Sequence, residues 1–155
     1  MHKISSLILI ALFLLISENV FSQNLFIFTL NNLDFGDVYI GYPKTVAHTD
    51  AGAAKFRIYQ NKSKDEDVRI TFTLPSSLIN GSYTVPITFG SATSAYSLND
   101  LPTGRITFNP NTPLTYLGLK RNTNLYIWLG GAINVPTSSI PGIYTATITV
   151  TVVII

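Results

Sequence analysis

The chain has 155 residues, 46% of them hydrophobic, and a formal net charge of only +2: enough for one domain with a real core, without room for a second. Its basic residues are scattered rather than clustered, which excludes an electrostatic footprint for nucleic acid. Cysteine is absent, which excludes disulfides, thiolate zinc sites and cysteine nucleophiles, and leaves stability to hydrophobic burial.

Residues 1–22 differ in kind from the rest. Lys3 gives a positive start, Leu7 to Ile16 form an unbroken apolar run, and Ser17 to Ser22 turn polar, which is the pattern of a secretory signal peptide. Cleavage is expected between Ser22 and Gln23, leaving 23–155 as a single domain. The run is shorter than the about 20 residues a membrane helix needs, and no later segment is apolar for long enough to span a bilayer. The expectation is an exported protein of a Gram-negative bacterium, periplasmic, at the cell surface or extracellular.

Beyond the signal, strands are predicted over 24–30 and 33–41. In the second, apolar parity shifts at Gly36 between Leu33-Phe35 and Val38-Ile40, as a one-residue bulge would cause; Asp34 and Asp37 flank it and suit its turn. A strand follows over 53–60. Val68, Ile70, Phe72 and Leu74 alternate with Arg69, Thr71 and Thr73, the period-two signature of a strand with one buried and one wet face. Pro75 ends it. Tyr83, Val85, Ile87 and Phe89 alternate as well, and Pro86 among them predicts a sheet edge. Gly90 to Thr103 reads as the longest loop, followed by strands over 104–108, 113–119 and 124–134.

Pro141-Gly142 then turns the chain into the last strand, with Tyr144, Ala146, Ile148, Val150, Val152 and Ile154 on one face and Thr145, Thr147, Thr149 and Thr151 on the other. About nine short strands without a helical period predict an all-β fold, an antiparallel β-sandwich of immunoglobulin-like or pilin-like form.

Four segments, Leu33-Asp34-Phe35-Gly36, VRITFTLP at 68–75, LYIWLGGAINVP at 125–136 and PGIYTATITVTV at 141–152, resemble in order and spacing the secreted bacterial family called domain of unknown function 4402. The resemblance covers nearly all of 23–155. It implies an exported sandwich with no catalytic or ligand residues to carry over. The chain also resembles, more distantly, chaperone-assembled pilus subunits and spore-coat proteins of that shape.

Catalytic groups are scarce. After the signal the single histidine is His48, in the polar stretch AHTDAG, and no serine sits in a G-x-S-x-G turn, so a Ser-His triad has no parts. Asp65-Glu66-Asp67 is the one acidic cluster; consecutive carboxylates do not converge as a D-x-D-x-D-G calcium loop does, and a solvated hairpin loop is expected there. No enzyme activity, cofactor or metal site is predicted.

Two features suggest binding. In LYIWL, Leu125, Ile127 and Leu129 share one face, so Tyr126 and Trp128 share the other, where two outward rings could stack on a glycan. Leu25 and Ile27 near one end, and Val150, Val152 and Ile154 near the other, belong to apolar, uncharged strands that could pair with another chain. The reading is a structural or adhesive surface module of the kind that builds a fibre or pilus, associating with itself or other surface proteins, with carbohydrate binding as the alternative.

Overall fold

The computed structural model describes residues 25–155; the expected signal peptide and its cleavage point lie outside the described residues. Among these residues twelve strands, rather than the expected nine or so, run in chain order: β1 Leu25–Asn31, β2 Pro43–Val46, β3 Ala54–Gln60, β4 Glu66–Thr73, β5 Ser77–Asn80, β6 Tyr83–Thr88, β7 Ser94–Ser97, β8 Ile106–Thr107, β9 Leu114–Leu119, β10 Thr123–Leu129, β11 Gly131–Asn134 and β12 Thr149–Ile154. All of their pairings are antiparallel. They form three sheets, of order β1-β3-β10-β7-β8, β2-β11-β6-β5 and β12-β4-β9.

The principal core lies between the five-stranded and three-stranded sheets. Alternation dictates its membership: Phe56 and Ile58 of β3 and Leu125, Ile127 and Leu129 of β10 meet Val68, Ile70 and Phe72 of β4 and Leu119 of β9. At one side Tyr96 of β7 packs edge-on against Tyr116 of β9, ring centroids 6.0 Å apart, and Phe72 of β4 packs against Phe108, just after β8, at 5.7 Å, so the β7-β8 side of the larger sheet faces β4 and β9. A second, smaller core of Val85, Ile87, Ile133 and Val135 underlies the four-stranded sheet.

Several expectations need correction. Residues 33–41 form no strand. Leu33 and Phe35 tuck against the second core, Gly36 takes φ +60°, and the Gly36 N–H donates to the Asp34 carboxylate at 2.8 Å. The parity shift marks a turn, and the register irregularities fall instead at Thr29/Asn31 and Glu66/Val68.

The 124–134 run is two strands. β10 pairs with β3 and β7, β11 with β2 and β6, and the change of sheet occurs at Gly130. A Cβ there would sit 2.0 Å from the Val46 carbonyl oxygen, so only glycine permits the close backbone approach. Within the expected loop 90–103, β7 is a central strand between β10 and β8; its polar sequence SAYS hides it, although Ser94 and Ala95 are fully buried.

β6 is not at an edge, because it pairs with both β5 and β11. Pro86 is accommodated by phase. It lies opposite Ser77, and the neighbouring Ile87 N–H donates to Ser76 O at 3.1 Å, so the missing N–H would point toward β11. The ladder to β11 spans only Ile87 and Thr88, stopping where that donor would be needed.

Glu66 is not in a solvated loop: it begins β4 and is buried, with Lys62 Nζ 3.6 Å from its carboxylate. The last strand is shorter than expected. Thr145 forms a lone bridge to Ile79 of β5, and regular pairing to β4 begins only at Thr149. Its face assignment holds where it pairs: Ile148, Val150, Val152 and Ile154 pack on the principal core, while Thr149 and Thr151 are exposed.

Candidate functional site

Tyr126 and Trp128 stand side by side on the outer face of the five-stranded sheet, centroids 6.0 Å apart and planes 30° from parallel, because their neighbours Leu125, Ile127 and Leu129 take the inner face. The surface above them is occupied. The Arg105 guanidinium lies 3.7 Å from the Trp128 centroid, its Nε donates to Leu101 O at 2.9 Å, and its Nη1 donates to the His48 carbonyl. Lys55 Nζ sits 5.5 Å from the Tyr126 centroid and 5.8 Å from that of Trp128 while paired to Asp100 at 2.5 Å. Trp128 is therefore only 4% exposed, and no bare indole face is presented. The cation-π contacts, each about 0.5–2 kcal/mol, fasten the 98–105 loop to the sheet.

His48 borders this cluster. Burial, reinforced by the Arg105 guanidinium and opposed by Asp50, holds its imidazole below the usual histidine range. Its side chain approaches no second histidine, since His48 is the only one among the described residues. Among those residues no three His, Asp or Glu side chains gather as a metal site; Asp67, for one, accepts the Gly118 N–H at 2.7 Å.

The other site candidates fall on two sheet edges. Among the described residues β1 pairs only with β3, and β12 only with β4. Leu25 packs on the core. Ile27 lies opposite Ile58 and shares its inward face, yet Ile27 is 39% exposed where Ile58 is 0% exposed. Phe26 and Phe28 point outward, stacked 6.4 Å apart, with Tyr59 beside Phe26 and the Arg57 guanidinium 4.4 Å from Phe28. Val150, Val152 and Ile154 reach the core but remain half-buried.

Between the end of β1 and the segment leading into β12 opens a cleft of about 630 Å³, lined by Leu33, Phe35, Phe56, Ile133, Tyr144 and Ile148 among others. The sequence reading missed this cleft and the Arg105 cover. A lone arginine between Gly104 and Ile106 carries no signal of the ring it will meet.

No helix among the described residues is long and apolar enough to cross a membrane. In comparisons with known proteins the chain matches no family model, no curated protein and no solved structure. The fold class that stands is an all-β domain of antiparallel sheets, and its function has to be argued from its own residues.

Proposed function

We propose that this chain is an exported, non-enzymatic structural or adhesive module, an immunoglobulin-like or pilin-like sandwich, that joins other chains through the edges of β1 and β12, which pair with no further strand among the described residues. The observation that carries this is a contrast among edges. Native sheets guard exposed edges with short strands, proline, lysine or bulges. Here β8 has two residues, β2 is the four-residue PKTV, β5 has four residues and is bridged by Thr145, and β9 is broken by Gly118 at φ +64°. By contrast β1 (LFIFTLN) and β12 (TVTVVI), of seven and six residues, carry no charge, no proline and no glycine, and the register irregularity of β1 falls at its end, at Thr29/Asn31.

The signal-like pattern of residues 1–22 supports export. The test is the native size of the exported protein, comparing unheated with boiled samples on a denaturing gel. Species larger than one chain that collapse on boiling are expected; a monomer under all native conditions would retire the reading.

A further inference from the structure

The outer face of the five-stranded sheet is basic and aromatic. Its strands read LFIFTLN, AKFRIYQ, SAYS, IT and TNLYIWL, with no aspartate or glutamate among them, and their charged residues are Lys55 and Arg57. Both point outward, because alternation gives Phe56 and Ile58 to the core. Arg105 joins them over Trp128 from just before β8. Asp100 reaches this face from the 98–105 loop and is paired to Lys55 at 2.5 Å. Arg57 has no such partner: among the described residues it makes no ion pair, and its Nε is buried without a hydrogen bond.

Register sets Arg57 between two rings. It lies directly opposite Phe28 of β1 on one side and Tyr126 of β10 on the other, so ring, cation and ring form one row across the strands, about 10 Å from end to end. The guanidinium is 4.4 Å from the Phe28 centroid. In the next row Phe26 lies opposite Tyr59, centroids 6.3 Å apart, and the Tyr59 hydroxyl donates to Asn122 Oδ1 at 3.1 Å, which fixes that ring. Unlike the covered Trp128, Phe26 and Phe28 are 43% and 39% exposed.

From this arrangement we infer that the Phe28-Arg57 row binds an acidic polysaccharide, a uronate carboxylate meeting the Arg57 guanidinium while sugar rings rest on the exposed Phe26 and Phe28. A guanidinium offers parallel N–H donors matched to the two oxygens of a carboxylate, and this one has no protein carboxylate to take them. Rigid aromatic side chains add apolar contact area at low entropic cost. An extended peptide fits less well, because peptides are held at sheet edges by main-chain hydrogen bonds, and β3 and β10 are each already paired on both sides. Nucleic acid affinity rests on many phosphate contacts, whereas the sheet and Arg105 supply three cations, one of them already paired. The inference goes beyond edge pairing and does not depend on it, since a strand added to β1 extends the sheet and leaves its outer face open.

The test is retention of the purified protein on immobilised polygalacturonate, against the same polymer with its carboxylates methyl-esterified, which keeps the rings and removes the charge. Retention on the acid form, weaker by about tenfold or more on the ester and for Arg57→Gln, is the expected result. Arg57→Lys keeps the charge without the fork, Phe28→Ala keeps the fork without the ring, and each should fall between. Far-ultraviolet dichroism and the emission of the single tryptophan, Trp128, check the fold of each variant; if Arg57→Gln loses the native spectrum, Arg57→Lys and Phe28→Ala decide. No retention of the unmodified protein, equal retention on the ester, or indifference to the variants would overturn the inference. Equal retention on polyglutamate would overturn the polysaccharide in favour of acidic peptide, and equal retention on single-stranded DNA would do so in favour of unselective polyanion attraction. Edge pairing is read from native size, so failure here leaves that reading standing.

Discussion

The Arg105 guanidinium covers the Trp128 indole at 3.7 Å and ties two carbonyls, that of nearby Leu101 and that of distant His48, over the same sheet face. One side chain thereby closes what the alternation of β10 alone would leave as an aromatic platform.

Removing that cover should be visible in fluorescence. Arg105→Ala is expected to red-shift Trp128 emission, increase its quenching by acrylamide and cost about 1–2 kcal/mol from the lost cation-π contact and hydrogen bonds. Arg105→Lys should restore the charge without the planar stack and fall between the two. If polysaccharide retention rises in Arg105→Ala and is lost when Trp128→Ala is added, the aromatic pair is a covered glycan surface; unchanged retention in both dismisses glycan binding there.

The same cluster gives a pH dependence. Burial and Arg105 lower the His48 pKa in the folded state, so as pH falls below the ordinary histidine value of about 6.5 the unfolded chain takes up a proton before the folded one does. Stability should be full above that value and decline as pH falls toward the lowered folded value. His48→Gln should flatten this part of the profile in denaturant titrations between about pH 7 and 5, and an unchanged slope would contradict the assignment.

Gln60 is fully buried at the β3 end of the core, where its Nε2 donates to Lys64 O at 2.6 Å and its Oε1 accepts the Lys62 N–H at 2.8 Å. It organises the connection between β3 and β4. Gln60→Leu matches its bulk but strands those backbone groups, and is expected to cost about 1–3 kcal/mol in chemical denaturation.

Gly130→Ala should cost more, about 3 kcal/mol or beyond, because the new methyl would overlap the Val46 carbonyl oxygen that lies across the crossing of sheets. Gly90→Ala, where a Cβ meets nothing within 4 Å, serves as the control and should leave the melting temperature nearly unchanged.

How much of this was legible beforehand follows from range. The period-two pattern of 68–74 and the inward set Leu125, Ile127 and Leu129 report a local fact, which side of a pleat each residue occupies, and both recur in the cores of the structure. The all-β class and the paired aromatics of 126 and 128 are local in the same sense. β7 was illegible because the burial of its serines and alanine is a tertiary outcome, set by its place between β8 and the more distant β10.

What the sequence determined alone is therefore face and class: alternation is imposed by the geometry of an extended backbone and needs no partner to be read. What only the tertiary structure decided is position within a sheet. That β10 is central, that β1 and β12 are edges among the described residues, that Gly130 carries the chain between sheets and that Arg105 lies on Trp128 all depend on contacts between residues far apart in sequence. The strand order that brings them together is chosen by burial of the whole chain at once, which no local pattern encodes.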